Sequence, residues 1–206
     1  MVTETTTAGI NPHGHGRASD WIERFLPGVA PGGTVIDVAC GAGRHLRRAL
    51  ALGHPVVGID RDPSGLADLA GRADVEIFGH DLERAGGLDL PTGDRRFAGV
   101  MVTNYLYRPL FPLLRAMVAD DGLLLYETFT LGQERHGKPS NPDFLLKSNE
   151  LLTPALTGGL TIVAFEQGEV PSRLSATRTP KVVQRICAVG PAHPWAASDP
   201  RPLGTP

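Results

Sequence analysis

The most constraining feature of this chain is an alternation. Short, continuous apolar runs ("TVIDVA", "PVVGID", "VEIFGHD", "FAGVMVTNYL" and "LLLYETF") are separated by segments that mostly repeat apolar residues at helical spacing. Such runs read as strands buried on both faces, and their alternation with helices predicts a parallel sheet. Leu46, Ala49 and Leu50 form one helical face that Gly53 can end. Asp62-Pro63 opens a second helix, with Leu66, Leu69 and Ala70 inward. Leu113, Leu114, Met117 and Val118 form a third face, after which "ADDG" turns the chain. Upstream, Asp20 with Glu23 resembles a cap over the apolar face of Trp21, Ile22, Phe25 and Leu26. "SNELLTPAL" reads as a short helix stopped by Gly158 and Gly159. The last two apolar runs, "LTIVAFEQGEV" and "KVVQRICAV", have no helical pattern between them and predict a hairpin. The expected architecture is an α/β fold. Its sheet is seven-stranded and mostly parallel, with helices on both faces and an antiparallel hairpin at one edge.

At 206 residues, 41% hydrophobic and 20% charged, the chain suits one ordinary globular domain. The expected division is a flexible tail over 1–17, a domain over 18–190 and a Pro-rich, loop-like tail over 191–206. A net charge of -2 gives no global pull toward nucleic acid or anionic membrane. No apolar run is long enough to span a bilayer, and "MVTETTTAGINPHGHG" lacks the pattern of a secretory signal. Two cysteines, Cys40 and Cys187, make no disulfide framework, so a cytoplasmic setting is expected. His13 and His15 lack a third ligand, and no metal site is expected.

In an open parallel sheet the ligand sits at the carboxyl ends of the strands, so the turn after the first strand matters most. It reads "VIDVACGAGRHLRRAL". Gly41 and Gly43 remove Cβ atoms and let the backbone turn tightly against a ligand. The dinucleotide fingerprint G-x-G-x-x-G fails at Leu46, and no Lys-Ser/Thr follows for a P-loop. A cationic nucleoside without phosphates fits better, because Asp37 at the strand end can face positive charge. Asp60 ends the second strand about 20 residues on, where an acid can bond ribose hydroxyls.

"DVACGAG" resembles the first motif of the class I S-adenosylmethionine-dependent methyltransferases, Asp/Glu-x-Gly-x-Gly-x-Gly, with Ala39 at the first glycine position. The resemblance implies a Rossmann-like fold and S-adenosylmethionine as cofactor. It places Asp37, Ala39, Gly41 and Gly43 along the methionine part, Asp60 on the ribose and Arg61 near the adenine edge. Asp81 would meet the adenine amino group and Leu82 the ring, while Asn104 and Tyr105 would face the transferred methyl. The polar stretch "TLGQERHGKPSNPDFLLKSNELL" is long enough to cover an active site. With "NYLYRPLF" it resembles the TehB-like, tellurite-resistance-related branch.

Methyl transfer needs alignment, exclusion of water and, for a protonated acceptor, a base. Glu127 at the end of the fifth strand is the expected base, assisted by Tyr105 and Asn104, although pairing with Arg108 or Lys138 is its structural reading. Arg108, Arg135, Lys138 and Tyr105 are expected to hold the acceptor. The expected acceptor is a small molecule. The alternatives are RNA, for which "RLSATRTPKVVQR" and "GRHLRR" supply basic strips, and a non-catalytic cofactor-binding module. Oligomeric state is not legible.

Overall fold

A computed structural model describes residues 16–84, 89–171 and 179–197. Seven strands form one sheet: β1 (Val35–Val38), β2 (Val56–Asp60), β3 (Val75–Gly79), β4 (Phe97–Thr103), β5 (Val118–Phe129), β6 (Thr161–Val170) and β7 (Lys181–Val189). Their order is β3-β2-β1-β4-β5-β7-β6. β1 to β5 are parallel, and β7 runs antiparallel to both β5 and β6. The predicted hairpin therefore forms the sheet edge, with β6 outermost and the antiparallel β7 inside it. Chain direction across the sheet reverses between β1 and β4, which opens the crevice at their carboxyl ends.

Two apolar layers cover the sheet. On one face α1 (Asp20–Phe25) and α2 (Arg44–Ala51) pack with Val35, Leu46, Leu66 and Met101. On the other, α3 (Phe111–Ala116) and α4 (Pro154–Thr157) pack with Ile36, Val100, Tyr126 and Leu151. Leu46, the residue that breaks the dinucleotide fingerprint, is fully buried. The close approach that a helix glycine would give is supplied from the strand: a Cβ on Gly58 would meet Leu46 Cδ1 at 2.8 Å.

Several local expectations shift. Ser19, not Asp20, caps α1, and its side chain accepts the Ile22 N–H. The segment after Asp62 is a 3-10 helix over Pro63–Leu69, with Leu66 and Leu69 buried and Ala70 exposed. "ADDG" bulges within β5 instead of turning between elements: pairing jumps from Phe97↔Val118 to Gly99↔Leu123. "SNELLTPAL" divides at Thr153-Pro154 into a 3-10 turn and α4, because proline favours a helix start over a helix interior.

The loop-like reading of the C-terminal stretch is corrected for residues 191–197. Pro194 opens a helical turn, α5 (Pro194–Ala197), and the buried His193 Nε2 bonds Gly28 O at 3.0 Å. The missing Gly28 side chain leaves room for Trp195, whose ring a Cβ there would meet at 2.2 Å. The tail at residues 1–15, including His13 and His15, lies outside the described residues, as do Arg173, Arg178 and residues 198–206. No helix among the described residues is long and apolar enough to cross a membrane.

Candidate active site

The turn after β1 takes three consecutive odd positions into left-handed backbone: Ala39 at φ 57°, Gly41 at 54° and Gly43 at 77°. A Cβ on Gly43 would approach Leu66 Cδ2 to 2.3 Å, so only glycine lets α2 start this close to the segment after β2. Ala39 holds an L-residue where such backbone costs roughly 1–2 kcal/mol. Asp60 fastens the turn: its Oδ2 accepts the Gly41 N–H at 2.7 Å and its Oδ1 the Asp62 N–H at 3.0 Å. Both oxygens keep lone-pair capacity for further donors.

Asp37 is fully buried, and neither carboxylate oxygen has a hydrogen-bond partner. Burial, with the Asp60 charge, pushes its pKa from 3.8 up to about 7; the Leu46 N–H dipole, close but outside hydrogen-bonding geometry, and the Arg44 charge oppose it. A buried, unpaired carboxylate beside a glycine turn is complementary to a cation. The donor and acceptor set therefore fits S-adenosylmethionine: Asp37 for the ammonium, the turn backbone for the methionine part and Asp60 for the ribose.

A cleft of about 470 Å³ opens beside the turn. It gathers Ala39, Asp60 and Arg61 with Asp81 and Leu82 after β3 and Asn104 and Tyr105 after β4. These seven predicted residues converge from the ends of four strands. Asn104 is left-handed at φ 54°, a conformation asparagine tolerates. Its N–H donates to Glu127 O at 2.9 Å and ties the ends of β4 and β5 together. The Tyr105 hydroxyl is buried without a partner, and burial, then the Glu83 charge, raises its pKa.

Glu127 opens on a different cavity, of about 360 Å³, bounded by residues 17–20, Arg44 and the start of β7. Strand register sets its surroundings. Glu127 on β5 stands opposite Arg185 on β7, which stands opposite Glu166 on β6. Arg185 Nη1 reaches Glu127 Oε2 at 3.4 Å, and its Nε and Nη2 reach Glu166 Oε2 at 2.8 and 2.6 Å. The Arg185 guanidinium also lies 4.9 Å from the Trp21 ring centroid. Glu127 thus pairs with Arg185 and not with Arg108 or Lys138.

The expected acceptor-holding residues are not brought together. Arg108 donates to Glu150 and to the carbonyls of Asp143 and Leu145, at 2.8 and 2.9 Å for the two carbonyls. Its fork is committed to the loop after β5. Arg135 and Lys138 stand exposed on that loop and line neither cavity.

Two features escaped sequence reasoning. His45 is buried: its Nε2 accepts the Ser19 N–H at 3.2 Å, so its Nδ1 carries the proton and donates to Thr103 Oγ1 at 2.9 Å. It joins α1, α2 and the end of β4. Burial, with the Arg44 charge, lowers its pKa to about 3. Nothing in "GRHLRR" distinguishes it from a solvated histidine. Lys181, Val183 and Arg185 line the second cavity because alternate strand residues share a face, a period of two already visible in "KVVQR". Among the described residues no group of three or more His, Cys, Asp or Glu could hold a metal.

Residues 35–119 match the family described as Methyltransferase domain. With the sheet order and the turn after β1, this match gives the chain the Rossmann-like fold of the class I S-adenosylmethionine-dependent methyltransferases. The fold is similar to that of TehB from Haemophilus influenzae, with a TM-score of 0.62 at 16% identity over 83% of this chain and 61% of that one. By sequence the chain is similar to the tRNA U34 carboxymethyltransferase of Aeromonas hydrophila, 31% identical over 78% of this chain and 55% of that protein. The Aeromonas salmonicida protein of the same name is 30% identical over 85% of this chain and 61% of that protein. The chain therefore spans little more than half the length of these curated relatives.

Proposed function

We propose that the chain is a cytoplasmic S-adenosylmethionine-dependent methyltransferase that modifies RNA, with tRNA as its acceptor. The observation that carries the acceptor class is the wall of the cavity at Glu127, where Arg17, Arg44, Lys181 and Arg185 outnumber the acidic Asp20 and Glu127, which pair with Arg17 and Arg185. Among the described residues, Arg44 and Lys181 have no carboxylate within ion-pair distance. Burial, then the Arg44 charge, lowers the Lys181 pKa, so a nearby anion is favoured. A phosphate backbone meets such a wall. The name carried by the Aeromonas relatives supports the same class. The small-molecule expectation has less support, because Arg108 is engaged elsewhere and Arg135 and Lys138 face solvent.

S-adenosylmethionine, when bound, supplies the methyl carbon. Asp37 would hold its ammonium, Asp60 its ribose, and Asp81 and Leu82 its base. Asn104 and Tyr105 define the methyl end. Glu127 opens on the neighbouring cavity, joined to the methyl end where the Asn104 N–H donates to Glu127 O. An acceptor reaching across that junction would lose its proton to the Glu127 carboxylate, oriented by Arg185.

The test is transfer of labelled methyl from S-adenosylmethionine to bulk tRNA, with a small-molecule extract in parallel. Label should enter tRNA, and binding should weaken steeply as salt rises. Lys181→Glu should reduce RNA labelling while leaving S-adenosylhomocysteine binding intact. Mass analysis of the modified nucleoside reads whether the group is methyl or, as the relatives' name has it, carboxymethyl. Label confined to small molecules, or salt-insensitive RNA binding, overturns the reading. Cofactor binding without turnover on either pool would leave the sensing module.

A further inference from the structure

Phe144 is the exposed aromatic side chain on the loop after β5, where Leu131 is exposed as well. Phe144 is 50% exposed, whereas Leu145 is 1% and Leu146 0%. The loop carrying it is pinned. Leu146 N–H donates to Phe129 O and Leu146 O accepts the Leu131 N–H, both at 3.0 Å. Asn141 Oδ1 accepts the Asp143 N–H, also at 3.0 Å. The Arg108 guanidinium grips the carbonyls on either side of Phe144, those of Asp143 and Leu145, while paired with Glu150. An apolar ring is thus held in water by a fixed backbone, at the cost of its unrealised burial.

The ring lines the same cleft as Asp60, Asp81 and Leu82. Asp60 marks the ribose and Asp81 with Leu82 the base edge, so the planar group within reach is the adenine. We propose that Phe144 is the aromatic wall on which the cofactor's adenine stacks, and that Arg108 is the positioning residue that holds it there. This rests on the S-adenosylmethionine reading of the cleft. Arginine suits the task because one planar fork serves two carbonyls and a carboxylate at once, which a lysine ammonium does not.

Titration calorimetry of S-adenosylhomocysteine against the full chain tests it. A base–aromatic stack contributes about 1–3 kcal/mol. Phe144→Ala should therefore weaken binding by about 5- to 150-fold, and Phe144→Tyr should bind like wild type. The ring is exposed, so the melting temperature of ligand-free Phe144→Ala should match wild type. Phe144→Trp supplies a second readout: its fluorescence should be quenched as ligand saturates. Adding Arg108→Lys should reduce both that quench and the affinity. Wild-type affinity in Phe144→Ala overturns the proposal, including the case where only the KM for the acceptor rises. Failure of the wild-type chain to bind S-adenosylhomocysteine would overturn the cofactor reading first and this proposal with it.

Discussion

Asp37→Asn separates the stability of this protein from its cofactor binding. The native carboxyl is buried without a partner, and burial lifts its pKa from 3.8 to about 7. Holding it ionised at about pH 8 therefore costs at most about 4 kcal/mol, at about 1.36 kcal/mol per pKa unit. The sign follows from proton linkage. The folded state holds the proton more tightly than the unfolded chain, so this cost fades as pH falls through about 7 and is gone below 3.8. Asparagine carries no titrating group, and whatever its unpaired amide costs does not change with pH. Urea denaturation of the ligand-free proteins should show the variant gaining on wild type by several kcal/mol between about pH 4 and pH 8. Saturating S-adenosylhomocysteine should reverse the ranking at the higher pH, because the ammonium pairs only with the wild-type carboxylate and ligand binding stabilises the native state. A stability difference that stays flat across pH would refute the argument that Asp37 is an uncompensated buried charge.

His45 should act in the opposite direction. Its folded pKa of about 3 lies below the ordinary 6.5, so stability falls as pH drops below 6.5, by about 1.4 kcal/mol per pH unit. Wild type should look flat because Asp37 compensates, Asp37→Asn should be acid-sensitive, and adding His45→Gln should abolish that slope. Ala39→Gly should raise the unfolding free energy by about 0.5–1 kcal/mol, read as a higher denaturation midpoint: the relieved left-handed strain less the entropy glycine gains when unfolded. An unchanged or lowered midpoint would mean the strain at φ 57° is already absorbed by the turn. Glu127→Gln should leave the S-adenosylhomocysteine Kd unchanged and lower kcat. Full turnover would assign the carboxylate to its pair with Arg185. Asp60→Ala should weaken cofactor binding by removing both the ribose acceptor and the anchor of the Gly41 N–H.

The sequence by itself determined the sheet, its strand ends and the glycine turn after β1. The reason is locality: apolar runs, a glycine pair and strand-end aspartates place Asp37, Asp60, Asp81, Asn104 and Tyr105 once the sheet is parallel. Only the tertiary structure decided which charges meet. Glu127 finds Arg185 across 58 residues, and Arg108 finds Glu150 across 42. Those pairings follow from strand register and loop docking, which no spacing within the chain encodes. The same holds for burial: "GRHLRR" reads as a basic surface strip, yet His45 turns inward, Arg47 pairs with Asp68 and Arg48 with Glu23. Phe144, an ordinary loop residue in the sequence, lines the cleft with Asp60, Asp81 and Leu82 because a guanidinium 36 positions upstream fixes the backbone on both sides of it.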